Sequence, residues 1–234
     1  MREFNLLGDY PEPKKPRYVN QNLRTIDNRI IASYRSKEFF DGNRNNGYGG
    51  MVYDGRWKNI AKRICEKYEI KNNSKILQIN CEKGFLLNDL QELNPKIKIY
   101  GLESSKYAID NALPSVKKFI NYSDKINLEF EDNFFDFVIA IGTVYSLNLS
   151  DAIKCLKEIQ RVSKGKSFIT LGAYENEKDK KLFSYWTLLG STILKKSEWL
   201  KVLKHSGFTG DYKFNTATSL NLIENTHMCL KYEE

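Results

Sequence analysis

The stretch from Lys75 to Leu86, Lys-Ile-Leu-Gln-Ile-Asn-Cys-Glu-Lys-Gly-Phe-Leu, constrains this chain more than any other. It begins as a short apolar run and ends as the start of an amphipathic helix, with Phe85, Leu86, Leu90 and Leu93 at helical spacing. The turn between them has room only for a strand-to-helix corner. At the first strand of an α/β unit, such a corner points backbone N–H groups at whatever sits on the carboxyl edge of the sheet.

The pattern continues on both sides. A helix is expected from about Arg56, with Trp57, Ile60, Ala61 and Ile64 inward, breaking at Asn72-Asn73. Strands are expected at 75–79, 97–102 (closed by Glu103), 119–122, 136–141 and 167–171, and the run at 136–141 is apolar enough to be buried on both faces. Between them lie helical patterns at 107–116, where Pro114 interrupts, and at 152–162, while 177–194 reads as helical with a lid role for Tyr185 and Trp186. Ser197 reads as the N-cap of a further helix that Gly207 ends. Alternating runs at 212–218 and 226–232 suit an antiparallel edge pair. The expectation is an α/β fold: a doubly wound, mostly parallel seven-stranded sheet with an antiparallel edge hairpin.

The corner resembles the first motif of class I S-adenosylmethionine-dependent methyltransferases, in which an apolar strand ends in an acid followed by Gly-x-Gly-x-Gly. The strand and Gly84 match, but Gln78 stands at the acidic position and Asn80 and Glu82 replace the first two glycines. The resemblance implies a Rossmann-like methyltransferase fold with S-adenosylmethionine as cofactor and S-adenosylhomocysteine as product. Glu103, nineteen residues after Gly84, matches the acid that holds the ribose, and Gly101-Leu102-Glu103-Ser104 resembles that motif well. A carboxylate there accepts two hydroxyl hydrogen bonds; as an acid at a helix N-terminus it would also suit the dipole. Ser123-Asp124-Lys125 stands where the family places polar groups against the adenine, though an ordinary Asx turn is an equal reading. Ile126 and Ile141 are candidate apolar walls.

Ile141-Gly142-Thr143-Val144-Tyr145 follows the fourth strand at the topological switch point. It lacks the Asn/Asp-Pro-Pro-aromatic motif of amino-group methyltransferases acting on bases, which favours oxygen as the methyl acceptor. Oxygen methylation needs a base. Tyr145 is the first catalytic candidate and Glu175 the second, and a hydrophobic wall is the other reading of Tyr145. The glycine-rich run Asn46–Trp57 is similar to the loop that closes over the methionine end of the cofactor in a small-molecule subgroup linked with surface-carbohydrate pathways. In that reading Tyr48 contributes to the cofactor site, and Arg56 pairs bidentately with the cofactor carboxylate.

The altered residues change the chemistry of the corner. Asn80 tolerates left-handed backbone, whereas Glu82 brings a carboxylate close to that of the methionine. Gln78 keeps an acceptor and loses the charge. If Glu82 turns outward, or takes over the ammonium from Gln78 so that local charge is conserved, the chain is an enzyme acting on a small, carbohydrate-type acceptor. Otherwise it is a catalytically degenerate binding or partner protein, or its pocket takes a different adenosyl ligand.

Residues 1–55 are expected to form an arm, a docking helix with Leu23, Ile26, Ile30, Ile31 and Tyr34 inward, and the covering loop; residues 56–234 form the methyltransferase-like domain. With 234 residues, 41% hydrophobic, one full core is expected. Residues 1–20 carry no apolar signal core and no run spans a bilayer, so a cytoplasmic protein away from membranes is expected. The net charge of +8 is spread over lysines mixed with acids, which argues against a nucleic-acid surface. Cys65, Cys81, Cys155 and Cys229, with His205 and His227, have no metal-site spacing and read as structural. Self-association and a partner subunit are left open.

Overall fold

Successive residues of the central strands feed two different cores. Ile76, Phe137 and Ile139 pack on one face of the sheet, and Leu77, Val138 and Ala140 on the other, as the two-residue period of an extended chain requires. Both faces are dry, which is why these strands read as apolar runs rather than alternating ones.

The structure, a computed structural model, describes residues 1–8, 10 and 15–225. In chain order its elements are β1 (Arg17–Val19), α1 (Ile26–Ser33), α2 (Lys37–Phe40), α3 (Lys58–Lys67), β2 (Lys75–Ile79), α4 (Phe85–Leu93), β3 (Lys98–Glu103), α5 (Lys106–Asp110) and β4 (Ile120–Tyr122). There follow β5 (Phe137–Ala140), α6 (Leu149–Val162), β6 (Ser167–Tyr174), α7 (Glu177–Trp186), β7 (Leu194–Lys195), α8 (Lys196–His205), β8 (Asp211–Asn215) and β9 (Leu222–Glu224). A seven-stranded sheet runs in the order β4-β3-β2-β5-β6-β7, with β8 also paired to β6, and β1 and β9 form a separate parallel pair. The order reverses between β2 and β5, so their carboxyl ends part and leave a crevice.

Every strand pairing among the described residues is parallel. The first run of the expected edge hairpin therefore appears as β8, laid parallel to β6, and the second run, 226–232, lies outside the described residues. The helix expected at 107–116 stops at Asp110, since Pro114 disfavours helical backbone just before it. Ser197 is not the N-cap of α8: Lys195 holds that place, its N–H donating to Glu198 Oε2 at 2.8 Å. Gly207 ends the helix in left-handed backbone as expected (φ 69°).

The docking helix differs most. Two helices stand where one was expected, separated by Arg35 in the left-handed region (φ 46°). Ile26, Ile30 and Tyr34 are exposed, while Leu23 and Ala32 are buried. The polar side faces inward instead: Asn28 Nδ2 donates to Asn46 Oδ1 (2.8 Å) and Arg29 to the Ser184 carbonyl (2.6 Å). The polar side of α1 thus meets polar groups of the turn at Asn46 and of α7 rather than a dry core. The amino-terminal arm is pinned as well. Phe4 N–H donates to the Tyr212 carbonyl (2.8 Å) along the edge of β8, and Leu6 and Leu7 enter the core beneath α3. Arg63 holds the carbonyls of Leu6 and Leu7, each at 2.8 Å. No described helix is long and apolar enough to cross a membrane.

Candidate active site

The corner after β2 adopts left-handed backbone at three alternate positions: Asn80 (φ 59°), Glu82 (φ 54°) and Gly84 (φ 76°). These are the three positions that are glycine in the resembling motif. Only Gly84 is sterically obliged, because a Cβ there would lie 2.8 Å from Val116 Cγ2 and 2.9 Å from Ile120 Cδ1. Asn tolerates this backbone, but Glu at position 82 costs about 1–2 kcal/mol. Its partners hold it there. The Tyr48 hydroxyl donates to Glu82 Oε1, and the Glu82 N–H donates to Glu103 Oε2 at 2.9 Å.

Glu103 is fully buried and fully engaged. Its Oε1 accepts from the Ser105 N–H (2.8 Å) and from the Arg35 guanidinium (3.0 Å), which reaches in from the break between α1 and α2. Arg35 escaped the sequence reading, since nothing local ties it to a residue 68 positions away. Burial pushes the Glu82 carboxyl up to about 7; Arg35 and the Tyr48 hydroxyl oppose the rise, and Glu103 adds to it. Burial likewise lowers Lys125 to about 8, with Arg35 repelling it and Glu103 and Glu82 pulling the other way. Tyr48 is driven well above its usual range by burial and by Glu82.

A cavity of about 380 Å³ opens at the carboxyl ends of β2 and β5. Of the residues expected from sequence, it brings together Tyr48, Arg56, Gln78, Asn80, Glu82, Ile141 and Tyr145. Gln78 Oε1 and Asn80 Oδ1 are buried on its wall without a hydrogen-bond partner. Arg56 lies at the rim, its guanidinium held by Asp54 (2.6 Å) and stacked over Tyr10. Tyr145, on a 3-10 turn after β5, is pushed up to about 12 by burial, with Arg24 lowering it and Glu82 raising it.

The other candidates lie off the wall. Gly84, Glu103, Ser104 and Lys125 stand behind the corner, and Arg35 closes the way to Glu103. Asp124 is an Asx turn: its Oδ1 accepts from the Ile126 and Asn127 N–H groups, and these bonds lower its carboxyl. Glu175 is displaced from the site. It points into a separate hollow beside Lys213, where Lys196 holds it at 2.5 Å. Its position after the β6 strand suggested the site, but β6 runs on to Tyr174 and carries it past the cavity. Cys81 is buried under the corner, its thiol raised by burial and by Glu103.

The covering loop is clamped to the corner. Lys83 Nζ donates to both Asp41 oxygens (2.8 and 2.7 Å) and to the Met51 carbonyl (2.9 Å), and Tyr107 donates to Asp41 Oδ2 (2.7 Å). Gly47 permits the close fit, since a Cβ there would lie 1.9 Å from the Phe39 carbonyl oxygen.

A family model described as a methyltransferase domain matches residues 70–207. Among solved structures, the chain is similar to the BH2331 protein of Bacillus halodurans C-125, with 19% identity over 63% of this chain and 68% of that one and a TM-score of 0.51. YcgJ of Bacillus subtilis is 16% identical over 62% and 66%, with a TM-score of 0.52. A SAM-dependent methyltransferase from Aquifex aeolicus is 20% identical over 63% and 78%, with a TM-score of 0.45. No curated protein sequence matches the chain.

Proposed function

The chain belongs to the methyltransferase-domain family and is an S-adenosylmethionine-dependent enzyme; we propose that it methylates an oxygen of a small, carbohydrate-type acceptor held in the cavity after β2 and β5. The observation that carries this is the acceptor cluster on the corner. Gln78 Oε1 and Asn80 Oδ1 are buried without donors beside the Glu82 carboxyl. An ammonium group brings three N–H donors and a positive charge to such a place. The residues present therefore fit the amino end of the cofactor, with Glu82 supplying the charge that Gln78 lacks.

Arg56, now paired with Asp54, would hold the carboxylate of the cofactor, and Glu103, now paired with Arg35, would hold the ribose hydroxyls. Ile141 on the wall, with Asp124, Lys125 and Ser104 behind it, would border the adenosyl half. When bound, the cofactor supplies a methyl group made electrophilic by its sulfonium. Tyr145 lines the same cavity as the corner. With its hydroxyl raised to about 12 it stays protonated at neutral pH, so it orients an acceptor hydroxyl by hydrogen bonding rather than acting as an ionised base. Residues 1–55 act as a cap and 56–234 as the catalytic body. Calorimetric titration with S-adenosylhomocysteine tests the reading. Micromolar binding, weakened at least tenfold in Glu82→Gln, is expected; no heat and no thermal shift at millimolar ligand would remove it.

A further inference from the structure

Asn215, the last residue of β8, is 7% exposed and lies on the wall of the cavity, and its Oδ1 is buried without a hydrogen-bond partner. Asparagine is depleted in strands, and an amide carbonyl taken out of water costs free energy unless a donor meets it. An apolar side chain would fill such a place more cheaply, as Phe214 does one residue earlier on the other face of the strand. Gln78 Oε1 and Asn80 Oδ1 share this unmet state at the corner. Asn215 serves a different group. The sheet runs β2-β5-β6-β8 between them, and strand spacings of about 4.8 Å put roughly 14 Å of sheet between the two strands. One ammonium does not reach both.

Asn215 stands beside Tyr145 instead. β6 and β8 pair in parallel with Gly172 opposite Asn215, and paired residues point to the same face of a sheet. On that face, a Cβ at Gly172 would lie 2.9 Å from Tyr145 Cδ2 and 3.0 Å from Phe183 Cζ. The bare backbone of Gly172 is therefore what lets the Tyr145 ring settle over β6, next to Asn215 on a strand about 4.8 Å away. Phe183 meets that ring edge-on, with 6.2 Å between centroids. The neighbourhood is fixed from all sides. The Tyr145 carbonyl accepts from the Ser191 and Thr192 N–H groups (2.9 and 3.0 Å), and Trp199 Nε1 donates to the Gly172 carbonyl (2.8 Å). Just past Asn215, the Ala217 N–H donates to Asp179 Oδ1 (2.8 Å).

We infer that Asn215 is a specificity residue for the methyl acceptor: its Oδ1 accepts a hydrogen bond from a second hydroxyl of that molecule, while Tyr145 orients the hydroxyl that is methylated. This rests on the methyltransferase reading of the same cavity and narrows its acceptor. The substrate class is a polyol or sugar with at least two free hydroxyls, rather than a simple alcohol or phenol with one. A site that buries an acceptor for a substrate hydroxyl discriminates strongly against the analogue lacking it, because that analogue leaves the carbonyl unmet.

The test uses the full chain in the presence of S-adenosylhomocysteine, titrated by calorimetry with glucose and with its monodeoxy analogues. At least one analogue should bind tenfold or more weakly than glucose. Asn215→Leu, similar in size, should bring glucose down to the level of that analogue while retaining S-adenosylhomocysteine affinity. Asn215→Asp keeps an acceptor oxygen and should preserve the difference. Glucose affinity unchanged in Asn215→Leu, equal affinity for every analogue, or no sugar binding while S-adenosylhomocysteine binds overturns the inference and leaves cofactor binding standing. Loss of S-adenosylhomocysteine affinity in both variants would mark Asn215 as structural and overturn it as well. Sugar discrimination through Asn215 in a chain that binds no S-adenosylhomocysteine would overturn methyl transfer and leave the sugar subsite.

Discussion

Arg35 and Glu103 form an ion pair at 3.0 Å in which the glutamate side chain is wholly buried and the arginine side chain only 12% exposed. The pair joins the break between α1 and α2 to the acid that closes β3. Breaking such a pair from one side leaves a buried charge uncompensated, which costs about 3–5 kcal/mol. Arg35→Met should fall at the low end, since Glu103 keeps two backbone N–H donors. The double variant Arg35→Met, Glu103→Gln should recover most of that loss in urea denaturation. Cofactor affinity should divide them differently, lost at least tenfold in Glu103→Gln and retained in Arg35→Met.

Cofactor binding should depend on pH through Glu82. Its carboxyl, held near 7 chiefly by burial, is protonated in much of the free protein at neutral pH. A bound ammonium favours the ionised form, so binding expels a proton, and affinity rises with pH up to about 7 and then levels. Below that point it should fall by up to about tenfold per pH unit. Titrations of S-adenosylhomocysteine in buffers of different ionisation enthalpy would read the proton directly, and Glu82→Gln should flatten the profile.

Gly84→Ala places a Cβ against Val116 and Ile120 in left-handed backbone. Overpacking and strain together should destabilise the fold by about 2–4 kcal/mol, read as a lower denaturation midpoint at unchanged slope.

Tyr145 and Glu175 can be told apart kinetically. Tyr145→Phe removes the hydroxyl from the cavity wall and should lower kcat by about 10- to 100-fold while leaving cofactor affinity intact. Glu175→Ala lies in another hollow, paired with Lys196, and should change kcat less than about twofold, a surface substitution being near neutral.

What was legible in the chain was what local pattern dictates. β2 falls on Lys75–Ile79 as expected, because strand period and corner chemistry are written in neighbouring residues. The left-handed corner was readable from Gly84 and Asn80, and the tension at Glu82 from its chemistry. Burial faces were less legible. Ile26, Ile30 and Tyr34 make a helical stripe that looks like a core face, yet they are exposed and the polar side turns in to Asn46 and the Ser184 carbonyl. Long-range pairing was invisible. Arg35 reaches Glu103 and Lys83 reaches Asp41 only after the sheet has brought them together. Glu175 stands apart from the cavity for a related reason, since its strand runs past the point where the apolar pattern weakens.

The amino-terminal arm has a practical meaning for anyone handling this enzyme. Residues Arg2 to Phe4 shield a margin of β8 that no other described strand pairs, where unpaired main-chain groups invite other molecules to add on. Leu6 and Leu7 plug the floor beneath α3. Trimming these few residues as dispensable would uncover a sticky strand and a greasy hole together, so shortened versions should precipitate long before they lose their chemistry.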